Sequence, residues 1–148
     1  MKSQNYMDLK IPSKSINESF ARSAVAAFCL QLDPTIAELA DIKTAVSEAV
    51  TNCIVHAYNS ANGEIYIKSE ITDDRVLIVK IRDKGKGIAD IKQAMEPLFT
   101  TGGEERAGLG FAVMESFMDK VKVTSREGKG TTVTLYKKFF RVTNEKPE

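Results

Sequence analysis

The sequence predicts an α/β two-layer sandwich: a mixed, mostly antiparallel sheet covered on one face by helices. Three observations predict it. Apolar residues alternate in short runs near the start, middle and end of the chain, apolar residues at helical spacing mark longer segments between them, and most strand pairs are separated only by turn residues. At 148 residues, 43% hydrophobic and 28% charged, the chain supports one core and is too short for two ordinary domains, so residues 1–148 read as one domain.

The elements follow in order. Residues 7–11 alternate like a short strand. Ser15 followed by Glu18 has capping-box spacing and opens a helix to about Leu32. Asp33-Pro34 offers an N-cap with proline at the first helical position, starting a longer helix that reaches about His56 or Tyr58. Its Ile42, Val46, Ala49 and Cys53 bury one face, and the polar cluster at 59–63 ends it in a turn. Ile65, Ile67 and Ile71 alternate in one strand, with Ser69 interrupting the series, and Leu77, Val79 and Ile81 in the next, with Asp73-Asp74 turning between them. Residues 83–106 are glycine-rich and polar, with a short helical stretch at 89–94. A helix at 108–118 carries Leu109, Val113 and Phe117 on one face, and strands at 121–126 and 131–138 are joined around Gly128 and Gly130.

Composition narrows the function classes. No apolar run is long enough to cross a bilayer, and the opening MKSQNYMDLK shows no secretory signal, so the expected address is cytoplasmic with no membrane partner. Cys29 and Cys53 sit in apolar helical segments, where buried thiols are commoner than disulfides. Lys plus Arg number 21 against 20 Asp plus Glu, which gives no general attraction for nucleic acid, so partners are recognised locally.

Four elements carry candidate chemistry. Glu48 and Asn52 lie four residues apart and project from one side of the second helix, with His56 a turn further on. A carboxylate among Ala45 and Ala49 is partly desolvated, as a general base for a hydroxyl needs, and the Asn52 amide oxygen suits magnesium, which keeps waters and phosphates as its other ligands. A pair at this spacing is also common on a solvated helix face. Asp83-Lys84-Gly85-Lys86-Gly87 begins where a strand stops: Asp83 continues the inward parity of Leu77, Val79 and Ile81, so its carboxylate is placed to accept the exocyclic amine of adenine, while Gly85 and Gly87 let the backbone approach the base. An ordinary strand-ending turn has the same composition. Gly108-Leu109-Gly110 opens a helix whose free N–H groups suit phosphate, with Thr100, Thr101 and Arg106 in a preceding lid; the lysine of a P-loop is absent. Gly130-Thr131 enters the last strand, where a hydroxyl would reach the nucleotide rim.

In this order the four elements resemble the boxes of the ATPase/kinase superfamily of gyrase, Hsp90, histidine kinases and MutL. NESFAR at 17–22, QLDPT at 31–35, SEAVTN at 47–52, PLFTT at 97–101 and FMD at 117–119 are further similar to the anti-sigma-F family of spore-forming bacteria, over nearly the whole chain. The resemblance implies a Bergerat ATP-binding fold, a homodimer, and ATP with Mg2+ as cofactors, ADP being the product. It implies two partners: the sporulation sigma factor F, held inactive, and an anti-anti-sigma factor phosphorylated on serine. By resemblance Glu48 is the base, Asn52 the magnesium ligand, Asp83 the adenine reader, Arg106 part of the phosphate lid, and Glu18 and Arg22 a partner-binding surface. Glu18 is equally able to close the Ser15 capping box or to pair with Arg22. The lid departs from the family in Gly102-Gly103-Glu104-Glu105, which lacks a proline. The competing readings are an ATPase in which Glu48 activates water, a histidine-kinase catalytic module, a stress-response anti-sigma kinase, and a module that only sequesters a sigma factor.

Overall fold

A computed structural model describes residues 2–58, 62–95 and 109–140. The element order is β1 (Ser3–Pro12), α1 (Ile16–Cys29), α2 (Ile36–Thr51), β2 (Glu64–Thr72), β3 (Val76–Asp83), α3 (Ile91–Met95), α4 (Phe111–Phe117), β4 (Lys120–Arg126) and β5 (Gly130–Lys138). A 3-10 turn, Leu30–Leu32, follows α1, and a π-helical segment, Asn52–Tyr58, continues α2. The sheet has five strands in the order β1-β2-β3-β5-β4, and every pairing is antiparallel, the limiting case of the mostly antiparallel sheet expected.

The inward parity is uniform. Ile65, Ile67, Ser69 and Ile71 on β2, Leu77, Val79 and Ile81 on β3, and Val133 and Leu135 on β5 are all buried, packing under α1, α2 and α4. Each fully buried aliphatic side chain contributes about 1.5–3 kcal/mol relative to exposure. Ser69 therefore does not break the alternation. It takes an inward position, and its hydroxyl finds no partner among the described residues.

Two helix starts differ from expectation. Ser15 makes no side-chain cap; Glu18 turns instead to Arg22, whose Nε donates to Glu18 Oε2 at 2.9 Å. The capping box forms one helix later, where the Thr35 hydroxyl accepts from Glu38 N–H at 3.0 Å and Glu38 Oε1 accepts from Thr35 N–H at 2.8 Å. Asp33 is not the cap, because it stands in the left-handed region (φ 52°) and ends the preceding turn. The expected Asp73-Asp74 turn extends to Arg75, which also has positive φ (65°) and donates N–H to Thr72 O. The third main helix is shorter than 108–118, since the left-handed Gly110 sets its start at Phe111. The short helix falls at Ile91–Met95, just past 89–94, and β1 extends outward to Ser3.

Candidate active site

At one end of the sheet a cavity of about 240 Å³ opens between α2 with its π-helical extension and the ends of β3 and β5. Its walls are mostly apolar, with Ala49, Ile81, Ile88, Leu109, Phe111 and Val133 among them, and Asp83 is its inward carboxylate. Such a pocket, apolar with few convergent polar groups, suits a planar heteroaromatic ring.

Asp83 is 5% exposed and faces the helices because it keeps the β3 parity, paired with Ile65 on β2 and Thr131 on β5. One of its oxygens accepts N–H from Gly85 at 2.9 Å and from Thr131 at 3.2 Å, and the Cys53 thiol also donates to it. Burial pushes the Asp83 carboxyl up, against the pull of those backbone donors, and burial pushes the Cys53 thiol well up. Cys53 is thus an inert pocket wall, unlike a reactive thiolate. Both cysteines are free and buried.

The loop after Asp83 is held from two sides. Tyr58 Oη accepts N–H from Lys84 at 2.6 Å and donates to Glu64 O at 2.6 Å, while Lys86 N–H donates to Ala57 O at 3.2 Å. Opposite, Gly128 N–H donates to Lys86 O at 2.6 Å, and Ile88 N–H to Ser125 Oγ at 2.8 Å, whose hydroxyl also meets Thr131 Oγ1 at 2.7 Å. Gly87 (φ 79°) lines the cavity and lies against Arg126 O, where a Cβ would stand 2.2 Å away. Gly85 instead packs on the Ala57 carbonyl, so its small size serves the loop's seat on the π-helical segment and not an approach to the base.

Asn52 lies where α2 widens into the π-helical segment. Its Nδ2 donates to Leu109 O at 2.6 Å, and among the described residues nothing donates to its Oδ1. A π-bulge frequently marks a functional site, because the extra residue re-aims the side chains around it. A magnesium ion fits this arrangement: a single neutral amide oxygen next to a carboxylate needs the remaining ligands from phosphates and water, and no group of three or more metal-binding side chains occurs among the described residues. Glu48, one turn earlier, is half-buried and lies against Gly110, where a Cβ would stand 2.2 Å from Glu48 Oε1. Gly110 also has φ 71°, so any side chain there is both strained and in conflict with the carboxylate. Burial raises the Glu48 carboxyl.

The fold thus gathers Glu48, Asn52, Asp83, Gly85, Gly87, Gly110 and Thr131 at one end of the sheet. Thr100, Thr101, Arg106 and Gly108 lie outside the described residues. Glu18 and Arg22 stand apart from the cavity, on α1. The sequence reading missed the clamp made by Tyr58, Ala57 and Ser125, and the Cys53 contact to Asp83. The alternation in β3 placed Ile81 inward, but the sequence reading named neither Ile81 nor Val133 as a pocket wall.

The model of the histidine kinase-like ATPase domain matches residues 11–137. An anti-sigma F factor of Caldanaerobacter subterraneus subsp. tengcongensis is 59% identical over 142 residues, covering 95% of this chain and 99% of the relative. Another, from Clostridium beijerinckii, is 57% identical over 139 residues, covering 93% and 96%. Among solved structures, the RsbU and RsbW domains of a Mycobacterium tuberculosis protein align with a TM-score of 0.69 at 18% identity, covering 94% of this chain and 34% of that one. The catalytic domain of the histidine kinase ThkA aligns at 0.57 and 17% identity, covering 92% and 97%. These two show the shared fold. The nearly full-length identity to the relatives goes further: the chain belongs to the histidine kinase-like ATPase family and, within it, to the anti-sigma F factors.

Proposed function

We propose that this chain, a single histidine-kinase-like domain over residues 1–148, binds sporulation sigma factor F to hold it inactive and phosphorylates a serine of an anti-anti-sigma factor with Mg-ATP. Its family is one of kinase-type ATPases, so ATP is the nucleotide taken. The observation that carries the serine-kinase reading is the desolvated Glu48 carboxylate, set against Gly110 one helical turn from Asn52.

In this reading Asp83 accepts the adenine amine on the cavity floor, with Gly87 and Thr131 lining its approach and Gly85 seating the loop on the π-helical segment. Asn52 holds magnesium, which would neutralise phosphate charge. Thr100, Thr101, Arg106, Gly108 and Gly110 hold the γ-phosphoryl group. Glu48 takes the serine proton as the serine oxygen bonds to the γ-phosphorus and the bond to ADP breaks; the rest of the acceleration is positioning and charge stabilisation. Glu18 and Arg22 form the partner-binding surface, beside exposed Ile16 and Phe20 on α1. A homodimer, a cytoplasmic address and no direct contact with nucleic acid complete the reading. Among the described residues no helix is long and apolar enough to cross a membrane.

Intact-mass measurement of an anti-anti-sigma protein after incubation with ATP, magnesium and this chain tests it. We expect one phosphate added by the unmodified chain, none by Glu48→Ala with nucleotide binding retained, and weakened magnesium-dependent binding in Asn52→Ala. Transfer that survives in Glu48→Ala would remove the base assignment. ATP binding without transfer by the unmodified chain would leave a sequestering module.

A further inference from the structure

Cys53 lines the base cavity and meets its carboxylate, yet has no part in the reading above. It stands in a row, Ala49, Cys53 and Ala57, four residues apart along α2 and the π-helical segment, and all three line the cavity. The two alanines carry no polar side-chain atom, so the thiol is the one side-chain donor that this row offers. It is buried, as is the Asp83 carboxylate to which it donates. An ionised carboxylate has about four acceptor positions. In Asp83 the N–H groups of Gly85, at 2.9 Å, and Thr131, at 3.2 Å, both fall on Oδ1, and the Cys53 thiol takes a third position. The Thr131 hydroxyl does not add to the count, since it meets Ser125 Oγ at 2.7 Å. Among the described residues no further donor reaches Asp83, which leaves one position for a ligand.

Resting on the adenine reading above, we propose that Cys53 is a specificity-determining residue: by filling the third acceptor position of Asp83 it leaves a single one, which admits the exocyclic amine of a 6-aminopurine and refuses a 6-oxopurine. The amine brings a hydrogen to that position and needs no other. A 6-oxopurine sets a carbonyl oxygen where the amine stood and carries its nearest donor on the ring nitrogen beside it. With the thiol in place, the carbonyl oxygen faces a carboxylate oxygen and the ring N–H finds no open lone pair. In a buried site such a mismatch leaves polar groups unpaired, which is what discriminates between two bases of the same shape. Without the thiol a second lone pair opens, and the ring N–H can take it. Burial suits Cys53 to this role, because a thiol pushed well up stays protonated and goes on donating.

Calorimetric binding of ADP and of inosine diphosphate, its 6-oxo counterpart, is the test, each with magnesium, on the full chain and its Cys53→Ala, Cys53→Val and Cys53→Ser variants, with thermal melting measured alongside. The preference for ADP over inosine diphosphate is expected to fall about fivefold in Cys53→Ala and Cys53→Val, the range of one net hydrogen bond. Cys53→Ser keeps the preference, because its hydroxyl still donates. Valine fills the space of the thiol without donating, so a preference lost in Cys53→Ala and kept in Cys53→Val assigns the effect to volume and overturns the proposal. An unchanged preference in both, the two nucleotides weakened equally, or a serine variant no better than alanine also overturns it. Asp83→Asn separates this from the adenine reading. If that variant binds ADP as the unmodified chain does, the adenine reading fails and the role of Cys53 falls with it. If it loses ADP while the Cys53 variants keep the preference, only the role of Cys53 fails.

Discussion

Glu48 is a carboxylate that the fold makes harder to ionise, and stability and the proposed base role feel that in opposite directions. Burial raises its pKa, as it does that of Asp83. Between the ordinary carboxylate value and the raised one, the native state holds a proton that the unfolded chain has released. Stability contributed by the protonated form is therefore full at low pH and falls as pH rises through that window. In the proposed mechanism the base acts ionised, so transfer is expected to rise with pH through the same window. Single-turnover transfer at saturating ATP should show an acid limb with its midpoint above the ordinary carboxylate range; a limb at the ordinary value would mean that Glu48 is not desolvated in the working complex. At this scale the sequence was informative about identities, because a Glu and an Asn four apart and an Asp at a strand end are visible as letters. The Cys53 contact to Asp83 was not visible, because nothing in spacing brings a helix thiol to a strand carboxylate thirty residues on.

The π-helical segment Asn52–Tyr58 is the element that organises the site. It continues α2 past Thr51, turns Asn52 toward Leu109, and delivers Ala57 and Tyr58 onto the loop after β3. Tyr58→Phe removes the acceptor for Lys84 N–H and the donor to Glu64 O together. We expect a loss of about 1 kcal/mol in urea unfolding, in the ordinary range for one net hydrogen bond, with ADP binding weakened several-fold and transfer at saturating ATP preserved. Unchanged ADP affinity would mean that Ala57 and the β4-β5 hairpin hold the loop without Tyr58. Helical periodicity placed this segment in a helix and set its end near His56 or Tyr58. It carries no signal for the wider π turn, which arises from where the helix end docks. The capping residues illustrate the same gap: Ser15 and Thr35 both precede a Glu by three positions, and only Thr35 has the extended backbone (ψ 165°) that lets its hydroxyl reach back.

For the whole molecule, the site spans both layers. Glu48 and Asn52 come from the helical layer, Asp83 and Thr131 from the sheet, and the cavity exists only while the two are packed together. Nucleotide should therefore stabilise the fold as a unit: ADP at one hundred times its Kd adds about 2.7 kcal/mol by mass action, read as a rise in the thermal midpoint that Asp83→Asn diminishes. A midpoint indifferent to ADP would place nucleotide binding elsewhere or nowhere.

The sequence by itself determined the two-layer architecture, the inward faces of β2 and β3 and the family, and it singled out Glu48, Asn52 and Asp83 as candidates, because periodicity and motif order are local properties of the chain. Only the tertiary structure decided the antiparallel order β1-β2-β3-β5-β4, the clamp on the loop after Asp83, and the meeting of Cys53 with Asp83. Those depend on which distant surfaces meet. Contacts between residues far apart in the chain are fixed by packing the layers together, and that free energy is shared across the core and written in no single segment.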